Sequence, residues 1–157
     1  MEKVYLDTSF ISYLVARGSR DLIMSARQQL TIEWWENERS KYELFISEMV
    51  LREAREGDPD EVTKRLRVVA ALPLVDLTDE IAQLAEQLLL RGILPTKAAR
   101  DAVHIAAATV HRMNYLLTWN FKHIANAHVR KMVDRIFQNA GYETPVICTV
   151  EEMEELI

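Results

Sequence analysis

The sequence predicts a single α/β domain over residues 1–157, with a central, mainly parallel sheet and helices on both faces. Three observations predict it. Short β-branched and aliphatic runs alternate with segments of helical periodicity. Polar residues suited to cap a helix stand directly after the first three of those runs, at Asp7, Ser47 and Thr78. No repeat, low-complexity tract or linker composition divides the 157 residues, a length that suits one core better than two.

Taken in order, Lys3–Leu6 reads as the first strand and ends at Asp7. Ile23, Ala26, Leu30 and Trp34 recur at helical spacing, which predicts a long helix over Ser19–Arg39. Glu43–Ile46 is the second strand, with Ser47 capping a helix that Gly57 ends. Asp58-Pro59-Asp60-Glu61 opens another helix with a cap and a proline at its first position. Leu74–Leu77 is the third strand, and Thr78 caps a helix with Ile81, Leu84, Ala85 and Leu88 on one face. Thr96 starts an alanine-rich helix carrying Asp101. Tyr115–Thr118 is the fourth strand, followed by a helix expected to bury Phe121, Ile124, His128, Met132 and Ile136. Val146–Cys148 makes a fifth strand, and Thr149 with Glu152 has capping-box spacing.

Composition narrows the class. A single cysteine, Cys148, excludes an internal disulfide framework. Asp7 interrupts the first apolar run, and Pro73 breaks the longest one, Val68–Val75. Neither a secretory signal nor a membrane span is expected, and the reading is a cytoplasmic protein. The net charge of -5 runs against a simple nucleic-acid binder. A nuclease that concentrates carboxylates around bound cations escapes that objection, because the cations reverse the local sign. The charge is also uneven: Pro95–Arg135 holds Lys97, Arg100, Arg112, Lys122, Arg130, Lys131 and Arg135 against only Asp101 and Asp134.

In an open parallel sheet ligands bind beyond the carboxyl ends of the strands, so the residues that end the strands matter. Asp7 follows the first strand, Glu48 lies just past the second and Asn120 just past the fourth. Glu53 and Asp101 sit early enough on their helices to lean over the same edge. Carboxylates held together raise one another's pKa, a penalty that a hard divalent cation removes. No Cys/His cluster suggests zinc, and no glycine-rich phosphate loop is present.

Four segments, in order and over almost the whole length, carry a family resemblance. They are Val4-Tyr5-Leu6-Asp7-Thr8-Ser9, the stretch from Ile46-Ser47 to Leu51-Arg52-Glu53 with Gly57 beyond it, Asp101-Ala102-Val103-His104-Ile105-Ala106, and Leu116-Leu117-Thr118-Trp119-Asn120-Phe121-Lys122. Together they resemble the motifs of PIN-domain ribonucleases of the VapC toxin type. The resemblance implies endoribonuclease activity, dependence on Mg²⁺ with Mn²⁺ as substitute, frequent homodimers, and silencing by a small antitoxin. It carries the metal-ligand role onto Asp7, Glu53 and Asp101. Many family members have Asp where this chain has Asn120, whose amide oxygen adds no negative charge. A weaker second-metal position is expected there.

Blander readings stand beside these. Asp7 suits the cap of a short helix near Phe10. Glu48 is a favourable first-turn charge and the reserve ligand should Glu53 face solvent. Asp101 is one turn from Lys97, and His104 reads as a supporting or packing histidine rather than a ligand. Thr118 either ties the cluster by hydrogen bonds or simply ends a strand. Lys97, Lys122, Arg130 and Lys131 are candidates to hold RNA phosphates, or else a solvated surface. Two rival functions remain: a degenerate PIN domain that binds RNA or a protein without cutting, and a hydrolase with Asp7 as nucleophile. The second is disfavoured by Ser9, which stands where such chemistry wants a second Asp.

Overall fold

The computed structural model describes residues 1–154, so residues 155–157, the end of the expected domain, lie outside the described residues. Among the described residues five strands form one sheet: β1 (Lys3–Leu6), β2 (Glu43–Ser47), β3 (Leu74–Val75), β4 (Tyr115–Leu117) and β5 (Val146–Cys148). Their order is β3-β2-β1-β4-β5 and every pairing is parallel. Register follows from the central strand: Tyr5 lies opposite Phe45 on one side and Leu116 on the other. Val4, Tyr5 and Leu6 are all fully buried. Successive strand residues point to opposite faces, so both faces of β1 are covered.

Seven α-helices among the described residues supply that cover: α1 (Thr8–Val15), α2 (Leu22–Asn37), α3 (Glu48–Ala54), α4 (Pro59–Val69), α5 (Asp79–Leu90), α6 (Ala99–Val110) and α7 (Ala127–Asn139). Side chains of Asp7, Ser47, Asp58 and Thr78 accept from the first-turn amides of α1, α3, α4 and α5, satisfying donors that the helix itself leaves unpaired. Gly57, at φ +97°, takes the left-handed conformation that separates α3 from α4 at no steric cost. Ala102, Ala106, Ala107 and Ala108 are fully buried, and their small side chains let α6 lie close to α5 and the sheet. The buried residues form one continuous hydrophobic cluster.

Four expectations need correction. The α2 helix starts at Leu22 rather than Ser19, because the Asp21 side chain accepts from Met24 N and sets the start. The third strand stops at Val75, two residues short of Leu77, where the Asp76 carbonyl turns to meet His111 Nε2 at 2.8 Å. Thr96–Ala98 is a tight 3₁₀ turn leading into α6. The largest difference follows β4: Phe121 and His128 are exposed, Met132 and Ile136 are half-buried, and α7 instead buries Val129, Val133 and Phe137. Asn120 causes it. Its side-chain oxygen accepts from His123 N and its carbonyl from Ala125 N, which close a turn, and Asn126 then caps a new helix. Ile124 is buried within that turn, so apolar spacing runs unbroken across two elements.

Candidate functional site

The chain leaves β1 for β2 and β3 on one side, then crosses to β4 and β5 on the other. That reversal, beyond the carboxyl ends of β1 and β4, is the crevice position at which the parallel-sheet rule places ligands. Asp7 and Thr118 are the first residues past those two strands. Asp7 N donates to Leu117 O at 3.2 Å, and Asp7 Oδ2 accepts from Thr118 Oγ1 at 2.5 Å. Asp7 Oδ1 accepts from Ser9 Oγ at 2.7 Å and from Phe10 N at 2.9 Å. Asp7 is thus the helix cap of the bland reading and also a buried carboxylate at the switch point. The two roles use the same four hydrogen-bonding neighbours that fix its orientation.

Glu53, on the last turn of α3, reaches the same crevice. Its Oε1 accepts from Thr8 Oγ1 at 2.7 Å and lies 2.5 Å from His104 Nε2 on α6. The chain of contacts continues inward: His104 Nδ1 lies 2.7 Å from Tyr5 Oη, which lies 2.7 Å from Ser47 Oγ. An ionised Glu53 accepts a hydrogen bond from Nε2–H; when the ring is neutral, Nδ1 then accepts from the tyrosine. Ser47 also accepts from Met49 N at 3.2 Å. One buried relay therefore joins β1, β2, α3 and α6 and ends on Glu53.

Asp101 stands in the first turn of α6, with Oδ2 at 3.0 Å from His123 Nδ1 rather than against Lys97. His123 N donates to Asn120 Oδ1 at 2.9 Å, and Asn120 N donates to Thr118 Oγ1 at 2.9 Å. Asp101, Asn120, Thr118 and Asp7 thus share one hydrogen-bonded path. His123 escaped the sequence reading. Its only signal was an imidazole three residues after Asn120, and the turn that aims it depends on backbone bonds no pattern displays.

The carboxylates differ in their electrostatics. Burial pushes the Asp7 carboxyl above the usual carboxylate range, against the opposing pull of His104, Thr118, Ser9 and the Phe10 amide. Burial acts on Glu53 in the same sense, but the hydrogen bond and charge of His104, with Thr8, outweigh it and hold Glu53 below its ordinary value. Burial also carries the Tyr5 phenol upward, so it stays protonated.

By type these oxygens suit a hard divalent cation. Glu53 Oε2 and Asp101 Oδ1 accept no hydrogen bond among the described residues. Among the described residues, however, no three acidic, imidazole or thiol side chains converge into a finished ligand cage. Each of Glu53 and Asp101 leans on a histidine. The histidines hold Oε1 of Glu53 and Oδ2 of Asp101 and leave the second oxygen of each carboxylate open to a cation.

The remaining candidates divide. Glu48 is exposed at the start of α3 and takes no part in the network. Lys97, Lys122 and Lys131 are exposed. Lys97 precedes Asp101 by one turn and Lys122 lies two residues after Asn120 in the chain. Arg130 is committed elsewhere: it donates to Ile147 O at 3.0 Å and lies 3.5 Å from Glu152, bracing the turn after β5.

The profile of the PIN domain family matches residues 4–127. The chain belongs to that family. Solved structures share the fold at low identity. VapC20 of Mycobacterium tuberculosis, described as a sarcin–ricin loop cleaving toxin, aligns at 16% identity and TM-score 0.59, over 76% of this chain and 92% of that one. VapBC2 of Rickettsia felis, solved on a fragment of promoter DNA, aligns at 16% and 0.55, over 76% and 89%. FitAcB of Neisseria gonorrhoeae aligns at 14% and 0.61, over 94% and 97%. No curated protein matches by sequence.

Proposed function

We propose that this chain is a metal-dependent endoribonuclease and the toxin of a type II toxin–antitoxin pair, acting as one PIN domain. The observation that carries the reading is the hydrogen-bonded path joining Asp7, Asn120 and Asp101, with Glu53 anchored beside it through Thr8, at the sheet's switch point. Asp7, Glu53 and Asp101 would hold Mg²⁺ or Mn²⁺; Glu53 is preferred to the reserve Glu48 because it alone of the two is hydrogen-bonded into the network. When bound, the cation supplies positive charge against the phosphate and makes water acidic enough to attack it.

The protein's own groups do the positioning. Thr118 and Ser9 hold Asp7 by hydrogen bonds, and Thr8 and His104 hold Glu53, as outer partners orient ligands in metal sites. Lys97 and Lys122, exposed and close in sequence to Asp101 and Asn120, would hold neighbouring phosphates of the RNA. Lys131 is free to extend that strip, whereas Arg130 is engaged by Glu152. Asn120 locks the turn after β4 and contributes no charge. The likeness to VapC20, a toxin, and to VapBC2 supports a small antitoxin as partner, and exposed Leu22, Ile23 and Met24 on α2 offer apolar surface for it or for a homodimer.

Incubating the purified protein with labelled structured and single-stranded RNAs in Mg²⁺, Mn²⁺ or EDTA tests the reading. Internal cleavage that EDTA stops is expected. Divalent-metal binding without turnover on any RNA would favour the degenerate, binding-only PIN domain that Asn120 suggests.

A further inference from the structure

The residues just past Asn120 carry a second feature. Phe121 keeps 42% of its surface exposed, although it follows the crevice directly. It is not loose. The Arg27 guanidinium, from α2, lies 4.6 Å from the Phe121 ring centroid and 5.7 Å from that of Trp119. Trp119 meets Phe121 edge-on at 6.0 Å and 61°, and stacks on Tyr13 of α1 at 5.6 Å and 13°. Trp119 is itself pinned: its indole N–H donates to Thr31 Oγ1 at 2.8 Å, and its backbone N–H to Ser9 Oγ at 2.8 Å.

This aromatic ladder touches the catalytic cluster through Ser9, which also donates to Asp7. Three peptide units separate Phe121 from Thr118, so their Cα atoms lie within about 11 Å. The charge is of the right sign. Arg27 and Lys122 make no ion pair among the described residues, and both stand beside a site built of carboxylates. A rigid ring with a cation braced against it, open to solvent at the rim of a phosphodiester site, has the chemistry of a base-stacking platform. Stacking of this kind tolerates any base, because every base has a π-face.

We propose that Phe121, backed by Arg27, is a stacking subsite for one unpaired nucleobase next to the phosphodiester held at Asp7, Glu53 and Asp101. The subsite rests on the ribonuclease reading for the identity of its ligand. It makes single-stranded or looped RNA the substrate class, since a base within a duplex offers no free face.

Fluorescence anisotropy with a labelled single-stranded 2′-O-methyl RNA of about ten nucleotides, in Mg²⁺, tests it. Phe121→Ala and Phe121→Leu should each weaken binding on the order of 10-fold, and Phe121→Trp should restore it. Thermal melts of all three variants should stay close to wild type, because the ring is half-exposed. Moving an abasic site along the RNA should find one position at which wild type and Phe121→Ala bind alike, whereas the corresponding duplex should show no dependence on Phe121. Wild-type affinity in the Leu variant, or no such position, overturns the proposal, including when Phe121→Ala weakens only a protein partner. If the abasic coupling appears but RNA is never cut, the ribonuclease reading fails and the stacking subsite stands. If cleavage depends on Asp7 while Phe121 variants bind normally, the subsite alone fails.

Discussion

At the scale of single residues, Asp7 and Glu53 are two carboxylates in one crevice with opposite effects on the metal-free fold. Burial raises the folded pKa of Asp7 above its ordinary 3.8, so the folded state binds that proton more tightly than the unfolded chain. Its stabilising contribution is present below 3.8 and is lost as pH rises through the folded value. At neutral pH the ionised group is a net cost. His104 and Thr8 depress Glu53 below its ordinary 4.5, so its contribution is present above 4.5 and is lost as pH falls through the lower folded value. In EDTA at neutral pH, Asp7→Asn should therefore melt a few degrees above wild type, since Asn caps a helix as well as Asp. Glu53→Gln should melt below it, and both gaps should shrink on acidification. Melts across a pH series check this; shifts of the same sign in both variants would contradict the assignment of charges. The positions of Asp7, past β1, and Asp101, in the first turn of α6, were legible in the sequence because a strand end and a helix start place them, whereas Glu53, on the last turn of α3, was singled out by the motif resemblance. His123 and the inward aim of Tyr5 were not legible, because each depends on contacts between elements far apart in the chain.

At the scale of elements, the strands and most helix starts were readable because capping residues and apolar spacing act locally. Ser47, Asp58 and Thr78 cap the helices expected of them, and Thr149 with Glu152 forms the expected capping box on a 3₁₀ turn. The segment after β4 misled, since buried Ile124 continues a helical spacing through a turn that Asn120 closes by hydrogen bonds. What periodicity also hides is how elements are tied to one another. Tyr5 of β1, fully buried, links Ser47 at the end of β2 to His104 of α6 and so to Glu53 of α3. Tyr5→Phe keeps the ring but leaves His104 Nδ1 and the Ser47 hydroxyl without their shared partner. Such orphaned buried groups cost about 1–3 kcal/mol, and Glu53 loses part of its support. Urea denaturation should show that loss of stability, with a several-fold fall in any cleavage rate. A variant as stable as wild type would mean that the relay contributes nothing to holding α6 against the sheet.

At the scale of the molecule, one topological fact organises the rest: the order β3-β2-β1-β4-β5 puts Asp7 and Thr118 on either side of the switch. The net charge of -5, which disfavours a nucleic-acid binder when read alone, is consistent with a site that needs cations before it accepts phosphate. The central claim is that Asp7 and Asp101, joined through Thr118, Asn120 and His123, serve a single metal-dependent cleavage of RNA. Its most direct test is the single-turnover cleavage rate at saturating Mn²⁺ for wild type, Asp7→Asn and Asp101→Asn, with melts to confirm folding. The expected result is a loss of at least about 100-fold in each folded variant, since on the proposed reading each would remove one ligand of the same ion. Cleavage by both variants at the wild-type rate, or wild-type cleavage that persists in EDTA, would contradict it.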